Sequence, residues 1–325
     1  MTPLPKGPAV DCLIVGGGPA GLTAAIYLAR FLATVRVVDA GEGRAAMIPR
    51  TRNHAGYPGG IPGAELLARM REQALEFGAR IDHGTVTALQ TAGEDFVAVT
   101  SDGPIAARSI LLATGVTNLR PPMTQSLHDA AVGSGRLRYC PVCDGFEVMD
   151  RKVGVVGTGA HGVKEATFLR SYTADVTLIA PDGAHALDAG ERARLADLGV
   201  ALVDGPARDF ALGPDGLSLL CAAGRLSFAS VYPAMGSKAH ADLAIGLGAR
   251  AGEAGCVTVD AHQRTSVPGL YAAGDVVMGL DQISHAMGEA GVAATTIRND
   301  LADQTRAAAC EGAPVRTTSA SRARG

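Results

Sequence analysis

The chain has 325 residues, a net charge of −3 and 47% hydrophobic side chains, which is enough apolar material for two buried cores. That charge balance argues against a nucleic-acid footprint or a polybasic membrane patch, and no apolar run is long enough to span a bilayer. The N-terminus lacks a signal peptide's apolar stretch, and six cysteines with one close pair suit a reducing cytoplasm.

Residues 1–9 are Pro-rich and are expected to be disordered or draped on the surface. From Val10 the pattern is a buried strand, then Gly16-Gly17-Gly18-Pro19-Ala20-Gly21, then a helix through Arg30. In such a unit Gly16 permits the turn, Gly18 lets a pyrophosphate approach the backbone, and Gly21 lets the helix pack on the strand. The helix start then offers unpaired N–H groups to phosphates. The next strand, Val35 to Asp39, ends in an acid placed to bond an adenosine ribose. The glycine pattern alone is weak evidence. With the strand before it, the helix after it and the acid beyond, it predicts a dinucleotide site.

Residues 44–63 carry too much Pro and Gly for a helix or a central strand. A helix is expected from Ala64 to Phe77, with Leu66, Leu67, Met70, Ala74 and Leu75 at helical spacing and Gly78 as a stop. Short strands at Val86–Ala88, Phe96–Thr100 and Ile105–Ala107 read as a small meander. Ile110 then opens a buried strand that ends at Ala113-Thr114-Gly115.

The segment Cys140-Pro-Val-Cys143-Asp144-Gly145 is the one place where two thiols sit close in sequence. Such a pair closes as a disulfide or opens as a dithiol. One thiol usually attacks and the other resolves. Asp144 follows directly and is placed to move the proton that thiolate chemistry requires. A structural disulfide and half of a zinc site are the bland readings. Zinc would need a second ligand pair, and Cys12, Cys221, Cys256 and Cys310 are scattered singly, so no metal is expected.

The chain then repeats its opening. Lys152–Val156 is a strand, and Gly157-Thr158-Gly159-Ala160-His161-Gly162 is a second glycine loop. Val163 to Tyr172 is a helix, and a further strand from Ala174 leads to Asp182. Val231–Gly236 echoes Leu111–Gly115. The last third holds Thr265–Asp275, a turn and strand ending in Gly274-Asp275, and a helix from Gln282 to about Leu301. The second unit needs neither element, so both belong to the first. The fold class is therefore α/β, with two Rossmann-like domains and the second inserted in the first. The boundaries are 1–117 with 241–325 for the outer domain and 118–240 for the inserted one, with residues 306–325 as a mobile tail.

Taken together, these motifs resemble the low-molecular-weight thioredoxin reductases over nearly the whole chain. The resemblance rests on Gly16–Gly21, Tyr57-Pro-Gly, Ala113-Thr-Gly115, Cys140-x-x-Cys143-Asp144-Gly145, Gly157-x-Gly159, Thr265–Asp275 and Asp281-Gln282-Ile283. It implies FAD in the discontinuous domain, a nicotinamide nucleotide in the inserted one, a homodimer, and a thioredoxin-like protein as partner. It places Gly16, Gly18, Pro19, Ala20 and Gly21 at the FAD pyrophosphate and Asp39 at the ribose. Asn53, Val86, Ala113, Thr114, Gly115, Gly274, Asp275, Gln282 and Ile283 fall along the rest of the cofactor. Gly157, Gly159, Gly162 and Asp182 fall at the nicotinamide nucleotide. Cys143 would face the flavin, Cys140 would attack the partner's disulfide, and Asp144 would donate the proton. Relatives rotate the inserted domain to expose the outer thiol, and the joints near 116–120 and 237–241 are the expected hinge. With no Trp in the chain, any strong visible signal would come from the cofactor.

Of three departures from the family pattern, the first two leave the electron donor open. The stretch after the inserted domain's second strand has no Arg or Lys until Arg192, and Asp182 suits a free ribose 2′-hydroxyl. Ala160-His161 stands where relatives carry an Asp-Ser pair. Gly56 replaces an Asn that relatives often set beside the flavin, with Asn53 or His54 as substitutes. NADH, NADPH and a lapsed nicotinamide site served by another donor all remain open. An FAD-dependent dithiol oxidase with oxygen as acceptor and a flavin-bearing redox sensor are the competing functions. His285, His161, Cys12 and Cys310 have packing or surface roles as their simpler readings, and Arg50 and Arg52 flank the active-site loop.

Overall fold

The computed structural model describes residues 8–311, with side chains described to Arg306. The expected draping of the first residues and the expected tail therefore fall largely outside the described part.

The chain opens with β1 (Val10–Val15), α1 (Pro19–Arg30) and β2 (Val35–Asp39). A 3₁₀ turn at Arg44–Met47 precedes α2 (Gly63–Glu76), followed by β3 (Arg80–His83), β4 (Val86–Ala92), β5 (Asp95–Thr100) and β6 (Gly103–Leu112). The sequence reading placed two strands where β6 is one. Ser109 carries the ladder across the join, where its hydroxyl donates to Asp11 O at 2.6 Å. The first half of β6 pairs antiparallel with β5, and its second half pairs parallel with β1. One strand thus serves both the meander and the parallel sheet.

β7 (Val116–Asn118) leads into α3 (Gln125–Gly133) and the short α4 (Pro141–Asp144). Next come β8 (Val153–Gly157), α5 (Gly159–Leu169), β9 (Val176–Ile179), α6 (Ala189–Asp197) and β10 (Ala201–Val203). A hairpin pair β11 (Arg208–Gly213), β12 (Gly216–Cys221) and β13 (Gly224–Phe228) then leads to β14 (Ser230–Ala234) and β15 (Ser237–Ala239). β10, β9, β8 and β14 form a four-stranded parallel sheet of their own. β7 and β15 pair antiparallel, so the two connections between sheets run side by side as one ribbon.

After α7 (Asp242–Gly246), β16 (Leu270–Ala272) returns to the first sheet and pairs parallel with β6. α8 (Ile283–Glu311) packs along α1. It runs well past Leu301, into the stretch expected to be tail. Ile297 and Leu301 are buried against the first sheet, so the helix is anchored up to the residue where it was expected to stop.

Each sheet is covered on both faces, which is why its parallel strands read as unbroken apolar runs. Cys12, Ile14, Val35 and Val37 face α1 and α8, whereas Leu13, Val15, Ile110 and Leu112 face the meander side. In the inserted sheet Val155 and Leu178 face α5, and Val156 and Ile179 face α3 and the β11–β13 strands. Each fully buried aliphatic side chain contributes on the order of 2 kcal/mol.

Candidate active site

The C-terminal ends of β1, β2 and β6 converge on the first glycine loop. Gly16 has φ +108°, and an added Cβ would lie 2.3 Å from Ala113 O. At Gly21 an added Cβ would lie 1.9 Å from Gly16 O, so the helix can seat only on glycine. At Gly18 the corresponding position meets nothing within 4 Å. It opens on a cavity of about 950 Å³ lined by Gly18, Pro19, Asp39, Ala113, Asp275 and Gln282 among others. Gly18 also caps α1 with no side-chain hydrogen bond, leaving first-turn N–H groups for a ligand. Asp39 accepts from Gly17 N–H at 3.1 Å and from Arg71 at 2.7 Å on the cavity wall. Asn53, Val86, Thr114, Gly115, Gly274 and Ile283 line the same cavity.

Cys140 and Cys143 close a disulfide at the far end of that cavity. The Cys143 N–H donates to Cys140 Sγ at 3.1 Å. Gln282 Nε2 donates to both sulfurs, at 3.2 Å each. Its Oε1 in turn accepts from Asn53 Nδ2 at 2.9 Å, and Thr51 donates to Asn53 Oδ1 at 3.0 Å. An outer-domain loop and the head of α8 therefore grip the inserted domain's sulfur pair. His54 stacks on Tyr57 and lies 3.2 Å from Ser284 Oγ, away from the sulfurs.

Behind the disulfide, each oxygen of Asp144 has a donor. Tyr232 OH donates to Oδ1 at 2.9 Å and Arg138 to Oδ2 at 2.8 Å. Burial raises the Asp144 carboxyl above the usual carboxylate range, while Arg138 and Tyr232 pull the other way. Sequence reasoning misses both as partners of Asp144, because Arg138 belongs to no local motif and the Val231–Gly236 echo marks Tyr232 only as part of a strand. Arg44 escaped it too. Its guanidinium bridges Asp275 at 3.2 Å and Asp281 at 2.7 Å, fastening the 3₁₀ turn to the approach of α8. Asp275 is raised by burial and then by Asp281, with Arg44 opposing.

The second glycine loop stands apart from the large cavity. Thr158 Oγ1 accepts from Ala186 N–H at 2.8 Å, which draws the segment after β9 onto the loop. Asp182 is exposed, and the first cation beyond it, Arg192, donates to His185 O. Gly162 packs its backbone against Gly157, where an added Cβ would come within 2.9 Å.

His161 Nε2 lies 3.3 Å from Glu165 Oε1, and that contact raises the imidazole's pKa. His285 sits 3.1 Å from Glu289, whose other oxygen accepts from Gly274 N–H. Arg50 pins its loop through Gly59 O and Gly60 O, and Arg52 lies 3.6 Å from Glu147. Burial pushes the Cys12 thiol up to about 12, so it is an inert core group. Cys310 lies beyond the described side chains. Among the described residues, no group of three or more His, Cys, Asp or Glu side chains is placed to hold a metal. No helix there is long and apolar enough to cross a membrane.

Residues 10–290 match the family model described as pyridine nucleotide-disulphide oxidoreductase. The chain belongs to that family. Relatives that it matches include proteins named thioredoxin reductase. One from Listeria innocua is 30% identical over 302 residues, covering 87% of this chain and 91% of that protein. One from Mycolicibacterium smegmatis is 38% identical over 173 residues, covering 52% of this chain and about half, 54%, of the relative's length. The solved thioredoxin reductase from Streptococcus pyogenes has a TM-score of 0.83 at 26% identity, covering 91% of this chain and 99% of that one. For this oxidoreductase the family implies a flavin and a nicotinamide cofactor.

With Asp144 as the proton donor that the family resemblance implies, Asp144→Asn is expected to lower disulfide turnover by about 10²-fold, the usual worth of a positioned acid. The protonated carboxyl is the active form of such an acid. Turnover should therefore fall as pH rises through its raised pKa. Tyr232→Phe removes a hydrogen bond that favours the ionised form, so the falling limb should move to higher pH. Steady-state rates measured across pH check both outcomes.

Proposed function

We propose that this chain is an FAD-dependent disulfide reductase that acts on a thioredoxin-like protein. The observation that carries the reading is that Cys140 and Cys143 line the same cavity as Gly16, Gly18 and Asp275. Gly16, Gly18, Pro19, Ala20 and Gly21 would hold the pyrophosphate, with Asp39 at the adenosine ribose and Asp275 at the ribityl end. Asn53, Gln282 and Ile283 would border the ring. Bound there, the flavin supplies a two-electron store beside the sulfur pair.

The chain's own residues then divide the work. Cys143 lines the large cavity, whereas Cys140 lines both that cavity and an adjoining cleft. Cys143 is thus the inner sulfur and Cys140 the one that meets the partner. The Gln282 amide donates to whichever sulfur carries the negative charge, and the Cys143 N–H steadies a Cys140 thiolate. Asp144 holds the proton that a released thiolate takes up. The β7–β15 ribbon is the hinge about which the 118–240 domain turns to carry Cys140 away from the cavity. Gly157, Gly159, Gly162 and Asp182 would form the nicotinamide site of the inserted domain. The acid, in a stretch without Lys or Arg before Arg192, suits NADH over NADPH. We carry a homodimer and a cytoplasmic location with this reading.

The test is stopped-flow flavin reduction of the holoprotein with NADH, NADPH and reduced ferredoxin in parallel, followed by turnover with a thioredoxin. NADH is expected to bleach the flavin at least about tenfold more efficiently than NADPH, the discrimination that one unpaired charge gives. A second reading is favoured by the same cation-poor loop, namely a dithiol oxidase with oxygen as acceptor. Oxygen uptake with a dithiol and no nicotinamide would support it and count against the reductase.

A further inference from the structure

A cleft of about 240 Å³ opens beside the disulfide and adjoins the large cavity, sharing Cys140, Asp281 and Gln282 with it. Cys140, Val142, Lys164 and Phe168 of α5, Leu280 and Asp281 are among the residues that line it. It has room for about eight waters, too little for a folded partner but enough for one arm of a small disulfide. Two cations line it, and one is already committed. Arg44 is held by Asp275 and Asp281, and the His161 imidazole is held by Glu165. Lys164 makes no ion pair among the described residues. The exposed Lys164 ammonium, at a cleft also lined by the apolar Val142, Phe168 and Leu280, favours an anionic ligand with a short aliphatic arm.

We propose that this cleft binds low-molecular-weight disulfides that bear a carboxylate, with Lys164 on the carboxylate and Cys140 Sγ at the scissile bond. The proposal rests on the reading of Cys140 as the attacking thiol. It adds a small-molecule substrate class that reaches Cys140 without any turning of the inserted domain. The Cys140 thiolate attacks one sulfur of R–S–S–R, a Cys140–S–S–R bond forms, and RS⁻ leaves and takes a proton. Cys143 then attacks Cys140 Sγ, the Cys140–Cys143 bond re-forms, and the second RS⁻ leaves. Two electrons pass from the protein dithiol to the small disulfide, giving two thiols.

The experiment isolates the first step. In flavin-loaded Cys143→Ser protein, the lone Cys140 thiol is offered dithiodipropionate, hydroxyethyl disulfide or cystamine, which are anionic, neutral and cationic. Mass spectrometry follows the mixed disulfide at Cys140. Adding Lys164→Glu is expected to slow capture of dithiodipropionate by about fivefold or more, the scale of one partly exposed charge contact. Hydroxyethyl disulfide should change by less than twofold, and cystamine should be captured faster. Equal effects on all three, or none on dithiodipropionate, would overturn the cleft assignment while leaving Cys140 as the attacking thiol. No mixed disulfide with any of the three, alongside normal reaction of the double-cysteine protein, would overturn the reading of Cys140 itself.

Discussion

Cys143→Ser is expected to keep its bound flavin and to lose disulfide turnover by a factor on the order of 10³ or more, the usual consequence of removing a covalent participant. The substitution changes one atom, and the sulfur is only partly buried, so the fold should hold. What disappears, on the proposed function, is the sulfur assigned to resolve the mixed disulfide and to exchange electrons with the flavin. Absorbance near the flavin bands measures retention, and turnover with a thioredoxin measures loss. Wild-type activity in this variant would show that the redox centre lies elsewhere.

Gly18→Val and Gly21→Val are expected to fail in opposite ways. Gly18 has φ −77°, which any residue adopts, and a side chain there would project into the cavity. The valine protein should fold, with stability within about 1 kcal/mol of wild type, yet bind flavin at least about 10²-fold more weakly, because branched carbon fills the space where the backbone meets phosphate. At Gly21 the new Cβ would collide with Gly16 O, and neither backbone can yield without moving α1 off β1. That variant should lose about 3 kcal/mol or more of stability, the upper range of overpacking effects. Thermal unfolding of the two apoproteins, set beside flavin titration, separates the outcomes. If both merely weakened flavin binding, the packing account of Gly21 would be wrong.

Local chemistry explains which parts could be read from residues alone. The paired strand–glycine–helix units announce themselves within short windows, since turn, close approach and packing each demand glycine at a set spacing. The α/β class with one Rossmann unit inserted in another follows from their repetition. The strands β11–β13 give a weaker signal, and α6 is a short helix whose capping pair, Asp188 and Glu191, is easily taken for surface charge. The site's supporting residues are the hardest to see. Tyr232 meets Asp144 across 88 positions, and Arg44 meets Asp275 across 231. No periodicity encodes such pairs, because the fold alone brings them together. α8 outlasted its expected end for a related reason. Its final turns are polar in sequence, but packing against α1 holds the helix up to Leu301, and nothing after it breaks the backbone pattern.

On the proposed function, a bound flavin and the Cys140–Cys143 pair form one electron-accepting unit. Anaerobic titration of the purified holoprotein with dithionite tests it most directly. Uptake of four electrons per flavin, falling to two in Cys143→Ser, is the predicted result; uptake of only two by the wild-type protein, or a preparation that never binds flavin, would contradict it.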